Sequence, residues 1–330
     1  MRSSSSSMIA FAAAALVLAG CSRQAAPASD PDVPFKITVQ LDWVAEPEHG
    51  GLYQAMAKGY FKDAGLDVVL NEGGPNAFPM QKVATGQADI GQADSTNTLI
   101  AIGQGLPLVN IAAIFQNDPS VLMLHADNPV TKFEQLDGKT IMARPEWAFL
   151  PYLKNKYHIN FNLIPQNFAV GNFIADRNFI QQGFFTAEPF FIVRGGAKYP
   201  KFLYAWDAGF DAYTVLFANK SWAEKNAGKL RLFLAAYIRG CKEYVEGDPA
   251  PAHDMMKKLN PNDTDDFLSF SRKMIIEGRL MTGHASKDDS EVGRISRERF
   301  VVEIQQLEEL GIIPKGKLTA DQVMTTTYLP

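Results

Sequence analysis

The chain has 330 residues, 46% hydrophobic and 21% charged, which excludes a wholly disordered polypeptide. At about 150 residues per domain that length suits two lobes. The formal net charge of −4, from 32 basic and 36 acidic side chains, disfavours a surface built to neutralise nucleic-acid phosphates. With 2 cysteines, Cys21 and Cys241, there is neither a disulfide framework nor a four-cysteine zinc site.

Met8 to Gly20 carries no charge and follows Arg2. It is shorter than the ~20 apolar residues a spanning helix needs, and it suits the apolar region of an export signal. Leu18-Ala19-Gly20-Cys21 resembles the bacterial lipobox, whose cysteine accepts a lipid; a plain secretory signal with an incidental cysteine is the other reading. Residues 1–20 are thus expected to be a lipoprotein signal peptide, and 21–34, rich in Ala, Pro, Ser and Asp, a flexible tether. Cys241, inside the helical pattern L-R-L-F-L-A-A-Y-I-R-G-C, reads as a small buried hydrophobe.

Short apolar runs then alternate with amphipathic helices, the pattern of an α/β fold. Strands are predicted over Phe35–Leu41, Leu66–Leu70, Ala88–Gly91 and Leu108–Phe115, with helices over Gly50–Ala64, Ala77–Thr85 and Ser95–Gly103. A second set places strands at Val121–His125, Thr140–Ala143, Asn167–Val170 and Phe185–Glu188. Between them fall a turn of helix at Phe133–Leu136 and helices over Phe149–Tyr157 and Phe173–Gln182. Asp211–Ala218 returns toward the first set. From Ser221 the pattern is almost wholly helical: 221–246, 250–258, 263–278, 291–310 and 319–328. The expected division is lobe 1 over 35–120, lobe 2 over 121–212, and a return to lobe 1 over 213–330. The two crossings would form a hinge with a cleft.

Leu41-Asp42-Trp43, His49, Tyr53, Lys58-Gly59-Tyr60-Phe61 and Gly65-Leu66-Asp67-Val68 resemble a pattern in solute-binding proteins for thiamine-pyrimidine precursors. The related eukaryotic pyrimidine synthase shares it, and the wider superfamily includes nitrate, sulfonate and taurine binding proteins of ABC importers. Gly86-Gln87-Ala88-Asp89-Ile90-Gly91, Leu136-Asp137-Gly138-Lys139 and Ala187-Glu188-Pro189-Phe190 extend the match over roughly 36–220. The resemblance implies a two-lobed periplasmic-binding-protein (type II) fold with an interlobe cleft, and an ABC permease as partner. Hinge closure would bury the ligand between the lobes.

Little in the chain reads as catalysis. The five histidines show no paired-ligand spacing. Glu46-Pro47-Glu48-His49 is either a partial metal site or a polar loop lining a cleft. Ser95 reads as a helix N-cap. Gly73-Gly74 is either an anion cradle or a turn needing positive φ. The resemblance to the synthase puts its pyrimidine-donating histidine at Asn97 and its cysteine-rich run near Phe210–Phe217, where no cysteine stands. No enzyme activity and no cofactor are expected.

Candidate ligand-binding residues are Asp42, Trp43, Glu46, His49, Tyr53, Asn97, Trp147 and Glu188. Trp43 follows the first strand and Trp147 opens a helix of the second lobe, so the two could sandwich a flat heterocycle or, alternatively, pack in the core. Tyr53 faces either cleft or core, Glu188 either cleft or solvent, and Trp206 and Trp222 look structural. Carboxylates and asparagine match the donors and acceptors of an aminopyrimidine. Anionic ligands rank second, with Arg144 and the Gly73-Gly74 turn as anchors. The protein is expected to be an exported monomer, held to a membrane by lipid on Cys21 and binding no nucleic acid.

Overall fold

The computed structural model describes residues 33–284 and 291–330, so the export segment, the tether up to residue 32 and Cys21 lie outside the described residues. β1 (Phe35–Gln40) forms where alternation turns Ile37 and Val39 inward, both fully buried. It pairs in parallel with β2 (Leu66–Asn71) and β3 (Ile90–Asp94). β4 (Leu108–Phe115) is buried at every position, as its continuous apolar run requires. β10 (Thr214–Asn219) runs antiparallel between β3 and β4, giving the order β2-β1-β3-β10-β4.

The helices of this half are α1 (Gly50–Ala57), α2 (Tyr60–Asp63), α3 (Pro79–Ala84) and α4 (Ser95–Gly103). The single helix expected over 50–64 is broken in two at Gly59, whose φ of 77° no helix accommodates.

The second sheet contains β5 (Ser120–Leu124), β6 (Thr140–Ala143), β7 (Asn162–Pro165), β8 (Ile180–Phe184) and β9 (Lys201–Tyr204), in the order β7-β6-β8-β5-β9. β6 is parallel to β7 and β8, whereas β5 is antiparallel to β8 and β9. Helices α5 (Phe149–Tyr157), α6 (Gly171–Ala175) and α7 (Glu188–Arg194) belong to it. The chain passes from one sheet to the other through residues 116–119 and returns through 205–213.

Between residues 162 and 188 the structure departs from the sequence expectation. Asn167–Val170 is a loop with Phe168 at φ 57°, and the strand lies at β7, an edge strand exposed at all positions and therefore without alternation. Helix α6 stops at Ala175, where Asp176 turns its carboxylate onto the Asn178 amide. Residues 180–184 are then drawn into the sheet between β5 and β6, tertiary pairing overriding local pattern. Phe185–Glu188 is no strand either: Glu188 begins α7, and Pro189 suits the first turn of a helix.

The C-terminal helices are α8 (Lys220–Lys225), α9 (Ala227–Glu246), α10 (Ala250–Leu259), α11 (Asp265–Glu277), α12 (Arg297–Glu309) and α13 (Ala320–Val323). Phe61 of α2 stacks on Phe233 of α9 at 5.0 Å. Two glycines let α1 approach α9 closely: a Cβ on Gly240 would stand 2.3 Å from the Gly51 carbonyl oxygen, and one on Gly51 would stand 2.2 Å from Cys241 Sγ. Cys241 is fully buried at this seam, as a packing residue should be.

The seam fixes the helix that follows His49, so its loosening should be measurable. Gly240→Ala is expected to destabilise the fold by about 1–3 kcal/mol through overpacking, read by urea unfolding. A stability equal to wild type would show that the close approach is not needed.

Candidate functional site

The segment after β1 is seated by the glycine turn after β2. The amides of Gly73 and Gly74 donate to the carbonyls of Trp43 and Asp42 at 2.8 and 3.0 Å, and a Cβ on Gly73 would lie 2.3 Å from the Asp42 carbonyl carbon. Those amides are therefore occupied, and the turn is a backbone seat for Asp42 and Trp43 instead of an anion cradle.

His49, in the short 3-10 turn Pro47–His49, donates from Nε2 to Asp42 Oδ1 at 3.3 Å; its ring is fully buried and Nδ1 has no hydrogen-bond partner. Tyr53 packs edge-on to it at 6.4 Å and is also fully buried. The Tyr53 hydroxyl has no partner, and burial, with the charges of Glu72 and Asp263, pushes its phenol up.

Around this segment carboxyl groups crowd together. Burial pushes Glu46 up to about 8; the charges of Glu188 and Asp263 add to this, and a hydrogen bond from Trp43 opposes it. Glu48 is driven well above the carboxylate range by burial and by Glu46, while its Oε1 accepts the Thr186 hydroxyl at 2.8 Å. That bond joins the two halves of the chain, as does the packing of Trp43 on Phe168 at 5.1 Å. Glu188, pushed up to about 7 by burial, accepts the Phe184 amide at 2.7 Å. Asp263 is pushed up to about 7 by burial and by Glu72.

Past the end of β3 lies a shallow, open-sided depression lined by Asp94, Thr96, Asp118, Trp147, Trp206 and Phe210, among others. Asp94, and not Ser95, caps α4: its Oδ1 accepts the Asn97 amide at 2.9 Å and its Oδ2 the Asn97 side-chain amide. Ser95 is buried and donates instead to Glu303 at 2.6 Å. Burial raises Asp94, and Arg144 partly offsets the rise. Asp118, in the first crossing between the sheets, is pushed up to about 6 by burial and by Asp94.

Trp147 lines this space while leaning on Phe149 at 4.9 Å. The indole that shares the space with it is Trp206, stacked on Tyr204 at 4.5 Å; Trp43 faces Phe168. Of the residues singled out from sequence, Asp42, Trp43, Glu46, His49, Tyr53 and Glu188 are thus gathered at one part of the cleft. Trp147 lines the other part, and Asn97 reaches it through Asp94. Sequence reasoning missed Asp94, Asp118 and Asp263 and set Trp206 aside. Asp94 had a signal, the D-x-x-N pattern of a helix cap, whereas Asp118 and Trp206 lie in crossings whose partners are distant in sequence.

Among the described residues no group of three or more His, Cys, Asp or Glu is placed to hold a metal ion. No helix among them is long and apolar enough to cross a membrane.

The NMT1/THI5-like family model matches residues 46–252, more than half of the chain. A 4-amino-5-hydroxymethyl-2-methylpyrimidine phosphate synthase of Candida albicans is 33% identical over 107 residues, 32% of this chain and 32% of that one. The chain thus matches about a third of that relative's length. The formylaminopyrimidine-binding protein of Halalkalibacterium halodurans is 24% identical over 248 residues, 72% of this chain and 74% of that one. Among solved structures, the periplasmic aliphatic sulphonate binding protein of Escherichia coli superposes with a TM-score of 0.66 at 12% identity, over 88% of this chain and 91% of that one. The fold is therefore that of the periplasmic binding proteins.

The raised acids imply a direction for stability with pH. A carboxyl held above its unfolded value near 4.5 stabilises the fold fully below that pH and loses the contribution as pH rises through about 8 for Glu46 and about 7 for Glu188. Urea unfolding at pH 5 and pH 9 should show a loss of a few kcal/mol in the ligand-free protein, one pKa unit being worth about 1.4 kcal/mol. Glu46→Gln should shrink that loss. An unchanged pH slope in the variant would show that Glu46 does not titrate as its surroundings require.

Proposed function

The chain belongs to the NMT1/THI5-like family, and on that premise we propose that it is the ligand-capturing component of an ABC importer for a small aromatic nitrogen heterocycle. The observation that carries this reading is the convergence of raised-pKa carboxyls from both halves of the chain, Glu46 and Glu188, beside aromatic walls. A carboxyl poised near neutrality offers an O–H donor and a C=O acceptor on one group. An aminopyrimidine edge offers a ring-nitrogen acceptor beside an amino donor, so the two are complementary. Asp42, His49 and Tyr53 complete the polar end, Trp43 and Trp147 supply ring faces, and Asn97 holds Asp94 in place.

The relatives' names point to the same ring: the synthases make a hydroxymethylpyrimidine phosphate, and the bacterial relative binds a formylaminopyrimidine. Capture without turnover is the reading for this chain, because Asn97 stands where the resemblance places the synthase's histidine and residues 210–217 contain no cysteine. A nitrate- or sulfonate-type ligand is disfavoured by the occupied Gly73 and Gly74 amides, which leave no free backbone donors for an anion at that turn. The proposal includes lobes over 35–120 with 213–330 and over 121–212, hinged at the two crossings. It also includes export, lipid attachment at Cys21, and a monomer that presents its closed form to a permease.

Calorimetry with the exported form and a panel of 4-amino-5-hydroxymethyl-2-methylpyrimidine, methanesulfonate, taurine and nitrate tests the ligand class. The pyrimidine should bind at micromolar Kd or tighter and the anions at least ~100-fold more weakly, a gap of about 2.7 kcal/mol. Tight binding of an anion without the pyrimidine would overturn the reading. Trp147→Ala should weaken pyrimidine binding ~10-fold through lost ring contact.

A further inference from the structure

Phe168 stands in the loop between β7 and α6 with a φ of 57°. That left-handed conformation costs a bulky side chain free energy and persists only where the surroundings enforce it. Here they do so on both sides. Before Phe168, the Gln166 amide donates to the Ala143 carbonyl at 3.1 Å and the Gln166 side chain to the Gln182 carbonyl at 2.7 Å. After it, the Ala169 amide donates to Asn167 Oδ1 and the Ala169 carbonyl accepts from the Gln181 side chain, both at 3.1 Å. The loop is thus pinned to β6 and β8, and it carries the phenyl ring away from its own half. Phe168 is 49% exposed, and its ring meets Trp43 of the other half with centroids 5.1 Å apart and planes tilted by 39°.

The ring it meets is also held in place. Trp43 follows a backbone seated by the Gly73 and Gly74 amides, and its side chain is hydrogen-bonded to Glu46. Trp43 is half-buried and stands outside the hydrophobic cores of both halves. A flat heterocycle bonded to Glu46 and stacked on this indole therefore needs a ring face that Phe168 already covers.

We propose that Phe168 is a built-in competitor for the ring face of Trp43: in the empty protein its phenyl group takes the place of a planar ligand, which binds by displacing it. The proposal rests on the capture reading given above and deepens it. The incoming ring replaces the aromatic contact that Phe168 gives up, and release of the left-handed backbone offsets part of the loss. The affinity of the site is lowered by the fraction of molecules in which Phe168 is seated.

Calorimetry with 4-amino-5-hydroxymethyl-2-methylpyrimidine on the wild type, Phe168→Gly and Phe168→Tyr tests this. Glycine keeps the left-handed turn and removes the ring, whereas tyrosine keeps the ring. Phe168→Gly should bind ~3–10-fold more tightly, the worth of an aromatic contact that no longer has to be broken, and Phe168→Tyr within about 2-fold of the wild type. Equal or weaker binding by Phe168→Gly, checked for folding by circular dichroism, overturns the competitor and leaves the capture reading standing. The same gain in Phe168→Tyr also overturns it, since the ring would then not be the cause. No binding by any of the three overturns both. A readout without ligand is iodide quenching of Trp43 fluorescence, isolated by subtracting the signal of Trp43→Phe. It should increase in Phe168→Gly, and unchanged quenching would show that Phe168 does not cover the indole.

Discussion

Carboxyl groups gathered out of water, with few cations to balance them, are the constraint around which this protein is arranged. Each loses hydration on burial, and each neighbour of like charge adds to the cost of ionisation. The fold tolerates this by holding protons on Glu46 and Glu188 toward neutral pH and by giving individual oxygens local donors. The Phe184 amide serves Glu188, the Thr186 hydroxyl serves Glu48, and Asn97 serves Asp94. Such an arrangement is expensive as pure scaffolding. It is economical for a protein whose partner brings the missing donors and charge.

The backbone makes that crowding possible. Asp42 follows β1, Asp94 ends β3, Arg144 follows β6 and Glu188 follows β8, so strands from two sheets deliver charged groups to one region. Open α/β sheets bind ligands at such carboxyl ends. The glycine turn at Gly73-Gly74 fixes the first of these segments, and the close α1–α9 seam at Gly51 and Gly240 fixes the helix that follows it. The Glu48–Thr186 bond and the Trp43–Phe168 contact tie the halves together on one flank, while the two crossings connect them on the other.

Much of the fold was legible in the sequence because strong periodicity coincided with strong local signals. β4 and β6, α4 and α5 lie where their patterns place them, since a continuous apolar run or a clear amphipathic stripe leaves few alternatives. Between 162 and 188 the reading failed because β7 is an exposed edge and β8 is defined by its neighbours β5 and β6. The site was legible on the same terms. The run from Asp42 to His49 is local and could be read, whereas Asp118 and Trp206 acquire meaning only when the two crossings are laid side by side. The visible task of Asn97 is to hold Asp94.

The most direct test is a crystal structure of the protein grown with 4-amino-5-hydroxymethyl-2-methylpyrimidine. The account predicts density for the ring inside the cleft, its amino group and a ring nitrogen within hydrogen-bond distance of Glu46 or Glu188, and an indole face against it. An empty cleft at saturating ligand, or an anion held on Arg144 in its place, would contradict the account.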